Sequence, residues 1–190
     1  MTLQVETKVQ WELDSKASQF NVQAFAEGLA SVLAHCPKFA IRDFVGAIEG
    51  PPASLNDASL CLRVAANSLE LMDHVTPDDR RAIDRMMFNE VLETRIFPEV
   101  RFESTRVLAA RLSENMHRVT MTGNLTIHGV TNQHAIVANV VTSDDTLRAY
   151  GETQIRQSDY GIAKASVAGG TLKVRDELKF GFFLIARRRN

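Results

Sequence analysis

Apolar and polar positions alternate along most of this chain, and the longest alternating stretch covers residues 119–141. In its first half Val119, Met121, Leu125 and Ile127 share one face, while Thr120, Thr122, Asn124 and Thr126 share the other. That two-residue period predicts a half-buried β-strand. A break follows over residues 128–133, holding the turn formers Gly129 and Asn132, and a second β-rich run covers 134–141. Two long strands around a short break predict a hairpin.

The same period recurs elsewhere. Short alternating pieces stand at 11–14 and 18–25, the second with Phe20, Val22 and Ala24 on one side. Residues 39–49 are strand-like, but the phase slips between Phe39 and Ile41 on one face and Phe44, Gly46 and Ile48 on the other. A bulge near Arg42 and Asp43 would restore it. Residues 59–67 set Leu60, Leu62, Val64 and Ala66 against Cys61, Arg63, Ala65 and Asn67, and a further strand covers 100–104. Residues 147–155 place Leu147, Ala149, Gly151, Thr153 and Ile155 on the inward side, and 177–187 does the same with Leu178, Phe180, Phe182 and Leu184. Residues 28–36 fit either a helical turn at one barrel end or a continuing strand, with a slight lean to the turn. Pro51-Pro52, Asn56-Asp57, the segment 158–161 and Gly169-Gly170 mark loops.

Between 76 and 95 the period changes. Thr76-Pro77-Asp78-Asp79 has the chemistry of a helix start: a capping hydroxyl, proline at the first position and carboxylates near the positive end of the dipole. Ile83, Met87, Val91 and Leu92 then form one apolar stripe. An amphipathic helix over about 77–93 is expected to cover one end of the sheet, and Pro98 ends any helix before it. The pattern as a whole predicts an all-β fold with one helix: a large antiparallel sheet, apolar on one face and closed into a barrel. Its 190 residues suit a single domain with a sizeable core.

Composition narrows the partners. Lys and Arg total 22 against 23 Asp and Glu, so there is no basic footprint and nucleic acid is not expected. Arg187-Arg188-Arg189 reads as a solvated end, with transient contact to anionic headgroups of a membrane as the alternative. No run of 18 apolar residues exists, so no transmembrane segment is expected. MTLQVETKVQ lacks a basic region followed by an apolar one, and the expected location is cytoplasmic. Cys36 and Cys61 form no metal spacing and read as reduced core thiols.

No cofactor is called for. His128 and His134 flank the hairpin break and could approach each other, but no acid sits in that turn to complete a metal site. There is no Gly-x-Ser-x-Gly elbow, and Ser158-Asp159 beside Gly161 reads as a turn with an Asx-type bond. Arg156 reads as the partner of a nearby carboxylate, with a ligand headgroup as its alternative. The inward residues Leu62, Val64, Phe102, Met121, Leu125, Phe180 and Phe182 either line a tunnel or fill a core, and pattern alone does not separate the two. A small-molecule enzyme working at the barrel mouth would need titratable groups converging on a pocket, and a filled-barrel interaction scaffold would have no cavity.

Four stretches carry a resemblance. They are Trp11-Glu-Leu-Asp14; the helix followed by Phe97-Pro-Glu-Val-Arg-Phe-Glu-Ser104; Gly123-Asn-Leu-Thr-Ile-His-Gly-Val-Thr131; and Arg156-Gln-Ser-Asp-Tyr-Gly161 with Asp176-Glu177 beyond it. Together they resemble the YceI-like family of lipid- or polyisoprenoid-binding, lipocalin-like proteins, over nearly the whole chain. The chain departs from many members in lacking a histidine after Asp79-Arg80 and a secretory leader. The resemblance implies an eight-stranded barrel with a helix near one end. It also implies a hydrophobic ligand, an isoprenoid, quinone or other lipid, in the lumen, bound or carried without catalysis. On that implication the seven residues above, with Ala149, become ligand-binding candidates. A second copy of the chain, in a homodimer, is a further candidate partner.

Overall fold

The structure, a computed structural model, describes residues 8–27, 36–51, 54–163, 166–167 and 172–189. Eight antiparallel strands form a ring. In order around it they are β1 (Val9–Leu13), β5 (Phe44–Gly50), β6 (Ser59–Ala65), β8 (Glu99–Arg111), β9 (Met116–Ile127), β10 (Val130–Thr142), β11 (Thr146–Arg156) and β14 (Glu177–Arg188). β14 pairs back onto β1, from Trp11↔Arg188 to Leu13↔Ala186, and closes the barrel. The three arginines are exposed, as a solvated end would be, but they are tied to the closing strands. Arg188 lies in the closing strand, Arg187 reaches Asp14 at 2.8 Å and Arg189 reaches Glu12 at 3.2 Å.

The first three passes of the chain are each broken once. β2 (Gln19–Gln23), β4 (Lys38–Ile41) and β7 (Leu69–Leu71) continue β1, β5 and β6 as a flap branching from β14. The phase slip at Arg42-Asp43 is one such break, and it is a bend rather than a bulge. There Arg42 N–H turns to the Ser68 carbonyl and the Asp43 carbonyl accepts from Ala65 N–H, so β4 and β5 keep different neighbours. A true bulge occurs in β8, where the register shifts between Ser104 and Arg106. The 28–35 stretch and Gly169-Gly170 lie outside the described residues. Short strands β3 (Ala26–Glu27), β12 (Ser166–Val167) and β13 (Leu172–Val174) form a separate small sheet.

The central hairpin turns more tightly than its sequence suggests. Only His128 and Gly129 lie outside the ladder, and β10 resumes at Val130. Both turn residues have positive φ, 51° and 74°, the two-residue turn whose twist matches the strands. Gly129 is required twice over, because a Cβ there would meet the Phe97 ring at 2.7 Å.

Helix α1 (Pro77–Met86) begins where its capping chemistry predicts, with Thr76 Oγ1 accepting from Asp79 N–H at 3.2 Å. It runs into a π-helical turn, Met87–Val91, and so ends two residues before the expected 93. The apolar stripe is used as written. Met87 is buried with Val22, Phe39 and Leu71 of the flap; Ile83 and Leu92 pack beside it; Val91 and Leu92 also pack against the core around Phe102. Arg80 fixes the angle by donating to the carbonyls of Leu71 and Asp73 at 2.8 and 3.0 Å. The helix thus seals one end of the barrel.

Met87→Asp tests that seal. An unpaired carboxylate at this buried position is expected to cost about 3 kcal/mol, or to stay protonated at comparable cost, lowering the melting temperature by roughly 6–12 °C. An unchanged melting curve would show that the helix is not seated on the barrel.

Candidate functional site

Alternation on eight strands of a closed ring points half of every strand inward, so the site is the lumen itself. It holds a cavity of about 150 Å³ whose wall is apolar and carries no charged side chain. At about 30 Å³ for each packed group, this is space for roughly five methylene-sized groups, about one isoprene unit. Leu62 and Val64 of β6, Phe102 of β8, Met121 and Leu125 of β9, Ala149 of β11, and Phe180 and Phe182 of β14 all line it. Sequence reading overlooked the contribution of β10, Ile136 and Val140, although their spacing carried the signal. It also left out Leu13, Phe20 and Ile48, although the strand phase had already set Phe20 with Val22 and Ile48 with Phe44 on one face.

Both ends are covered. At the helix end Tyr160 and Ile162, following the short 3-10 turn Gln157–Tyr160, join Val91 and Leu92 in one core with Phe102 and Leu125. At the far end Leu55, from the loop between β5 and β6, packs against the clusters around Trp11 and Val107 and lines the cavity. Asn56 holds this loop down, its Oδ1 accepting from Ala109 N–H at 2.8 Å.

Two ladders of the side wall stop short among the described residues: β6 and β8 part beyond Cys61↔Glu103, beside the loop that carries Leu55 and Asn56, and β10 parts from β11. β10 and β11 pair only from Ala138↔Gly151 to Thr142↔Leu147. Beyond Ala138 toward the helix end, β10 remains paired to β9 and β11 to β14, but not to each other. One side-chain bond crosses this seam, between His134 Nε2 and Thr153 Oγ1 at 2.8 Å. Ser59, His134 and Thr153 are the polar residues lining the cavity, so two of the three sit at the gap. Burial holds the His134 imidazole below its ordinary 6.5, because charging it there strips water from the cation.

The remaining candidates separate. His128 does not meet His134; its Nε2 lies 2.9 Å from Glu93, from the end of the helical region, and its ring packs on Phe97 at 4.2 Å. Among the described residues no group of three His, Cys, Asp or Glu is arranged to hold a metal. Ser158 does form a turn, but the side-chain acceptor is Asp176 rather than Asp159: it takes Ser158 N–H at 2.9 Å and Oγ–H at 2.6 Å. Arg156 lies 4.0 Å from Glu177, the carboxylate partner expected for it. Cys36 and Cys61 are free thiols, but neither is in the core. Cys36 is exposed, and Cys61 is half-buried on the face of β6 opposite Leu60 and Leu62.

Comparison with known proteins agrees with this architecture. A sequence model of the YceI-like domain matches residues 11–185. No curated protein matches. Among solved structures, BcnA of Burkholderia cenocepacia superposes with a TM-score of 0.70 at 18% identity, covering 91% of this chain and 98% of that one. A polyisoprenoid binding domain from Saccharophagus degradans, described as implicated in plant cell wall breakdown, gives 0.65 at 15% identity, covering 94% and 98%. The YceI protein of Campylobacter jejuni gives 0.60 at 16% identity, covering 79% and 84%.

The depressed His134 pKa has a measurable consequence. Above pH 6.5 the imidazole is neutral both folded and unfolded, and its contribution to stability is complete. As pH falls through 6.5 toward the lower folded value, the unfolded chain takes up the proton first and stability is lost. The melting-temperature advantage of wild type over His134→Gln is therefore expected to be constant above about pH 7 and to shrink between about pH 6.5 and 5. A constant difference across that range would place His134 in water, not in the wall.

Proposed function

This chain belongs to the YceI-like family, and from that premise we propose that it binds a long apolar chain in its lumen and sequesters or carries it. The ligand class is an isoprenoid or related lipid, quinone-like in joining a prenyl tail to a compact head. The observation that carries the reading is the apolar cavity of about 150 Å³, walled from all sides of the barrel. A filled scaffold would lack that space. An enzyme would bring nucleophile, base and acid together around it, whereas the cavity lining offers a single titratable group, His134. The likeness to a polyisoprenoid binding domain at 15% identity supports the ligand class through shared fold.

The energetics follow from area. Each methylene-sized group removed from water contributes about 0.8 kcal/mol, so a prenyl tail needs no polar anchor to be held. The roughly five groups that fit correspond to about one isoprene unit, and longer tails must spread the side chains or protrude. No helix among the described residues is long and apolar enough to cross a membrane, so loading from a lipid surface would be a transient contact.

Prenyl alcohols of increasing length test the proposal. Affinity is expected to rise by about tenfold or more for each isoprene unit that the lumen admits, then to level off, with little change between low and high salt. Ala149→Trp, which inserts an indole into the lumen, should weaken the longer alcohols most. Affinity flat with length, or lost on adding salt, would overturn the reading.

A further inference from the structure

The open seam has an outer side, and its chemistry differs from that of the lumen. Outside the barrel a polar cleft follows the unpaired segments of β10 and β11. Its walls include the amides of Asn132, Gln133 and Gln154 and the charges of Arg156, Asp159 and Glu177. His134 and Ile155 line both this cleft and the lumen, so the two spaces adjoin at the seam. At the seam an apolar space inside adjoins hydrogen-bonding groups outside.

The charges in the cleft select the kind of group it can hold. Arg156 already faces Glu177 at 4.0 Å, and Asp159 adds a second carboxylate, so one cation stands against two anions. A phosphate would need surplus cations and would meet like charge instead. Amides, a hydroxyl and an imidazole suit an alcohol or a carbonyl oxygen, each of which takes one or two hydrogen bonds and carries no charge to desolvate. Asn132 Nδ2 donates to the Asp159 carbonyl at 2.7 Å, which ties β10 to the 3-10 turn beside the cleft.

We propose that this seam seats the headgroup of the lipid whose tail fills the lumen, and that the headgroup is neutral and hydrogen-bonding, an alcohol or ring carbonyl rather than a phosphate. The inference rests on the carrier reading, and it adds the headgroup site and its chemical class. The His134–Thr153 bond is the contact such a headgroup would join or replace.

Three C15 probes with the same carbon skeleton separate the two claims: farnesane, which has no headgroup, farnesol and farnesyl phosphate. Wild type is expected to bind farnesol at least tenfold tighter than farnesyl phosphate, a comparison that needs no variant. Replacing Asp159→Asn and Glu177→Gln together should narrow that gap. His134→Phe with Thr153→Val should lower the ratio of farnesol to farnesane affinity by about tenfold, the scale of one or two lost hydrogen bonds. If all three probes bind equally, or if the ratio is unmoved by the seam variant, the headgroup site is overturned while the carrier reading stands. Binding of none of the three overturns both.

Discussion

Everything inside this molecule depends on one short ladder, the pairing of β1 with β14 that closes the sheet on itself. It spans three residue pairs, Trp11↔Arg188 to Leu13↔Ala186. The ion pairs beside it, Arg187 with Asp14 and Arg189 with Glu12, involve side chains largely open to water, where such pairs contribute little. The closure is held instead by backbone bonds and by the burial of Trp11, Leu147 and Ala186 in one cluster. Once the ring is closed, the pleat has only two destinations for a side chain, and the apolar half of each strand acquires a common interior. The lumen is a consequence of closure, not of any one residue.

A closed ring also has to be stoppered, and the two ends are stoppered differently. At one end the three broken strands lean out as a flap, and the space they open is filled by the helix through Met87, Ile83 and Leu92. At the other, Leu55 of the loop between β5 and β6 packs across, with Ala58 beside it in the lining and a side-chain bond from Asn56 holding the loop. Toward the helix end the wall opens between β10 and β11. The last pair before the gap, Ala138↔Gly151, is among the tightest in the barrel: Ala138 is 1% exposed, and a Cβ on Gly151 would meet the Val137 carbonyl oxygen at 2.7 Å. The seam therefore begins abruptly, beside a fully zipped segment.

Strand period made the barrel wall legible from sequence, because a two-residue repeat survives any later choice of neighbour. Leu62, Phe102, Leu125 and Phe182 could be assigned inward for that reason, and all line the cavity. The helix start was equally legible, since capping is local chemistry at Thr76 and Asp79. What escaped depended on partners distant in sequence. Arg187 stays open to water but gained Asp14, 173 positions away; His128 gained a carboxylate from Glu93, 35 positions away; and the bend at Arg42-Asp43 looked like a bulge because only pairing distinguishes them. The seam between β10 and β11 was invisible for the same reason: nothing in either strand's composition says where two good strands stop pairing.

The same ring geometry explains why the lumen is not simply filled. Interiors normally pack to crystal density, and a cavity left in one costs about 24 cal/mol per Å³. For about 150 Å³ that is roughly 3–4 kcal/mol, a sizeable part of the 5–15 kcal/mol that typically separates folded from unfolded chains. Two glycines help to maintain the space. The Cζ atoms of Phe102 and Phe182 lie 2.8 and 2.9 Å from where a Cβ on Gly123 and Gly151 would stand, so each ring occupies space that a side chain there would take. Ala149 leaves further room between them and the opposite strands. Larger residues at these three places would force the rings inward and close the cavity. An apolar chain entering it restores the missing contacts without displacing any protein hydrogen bond, so the instability of the empty barrel becomes part of the driving force for binding.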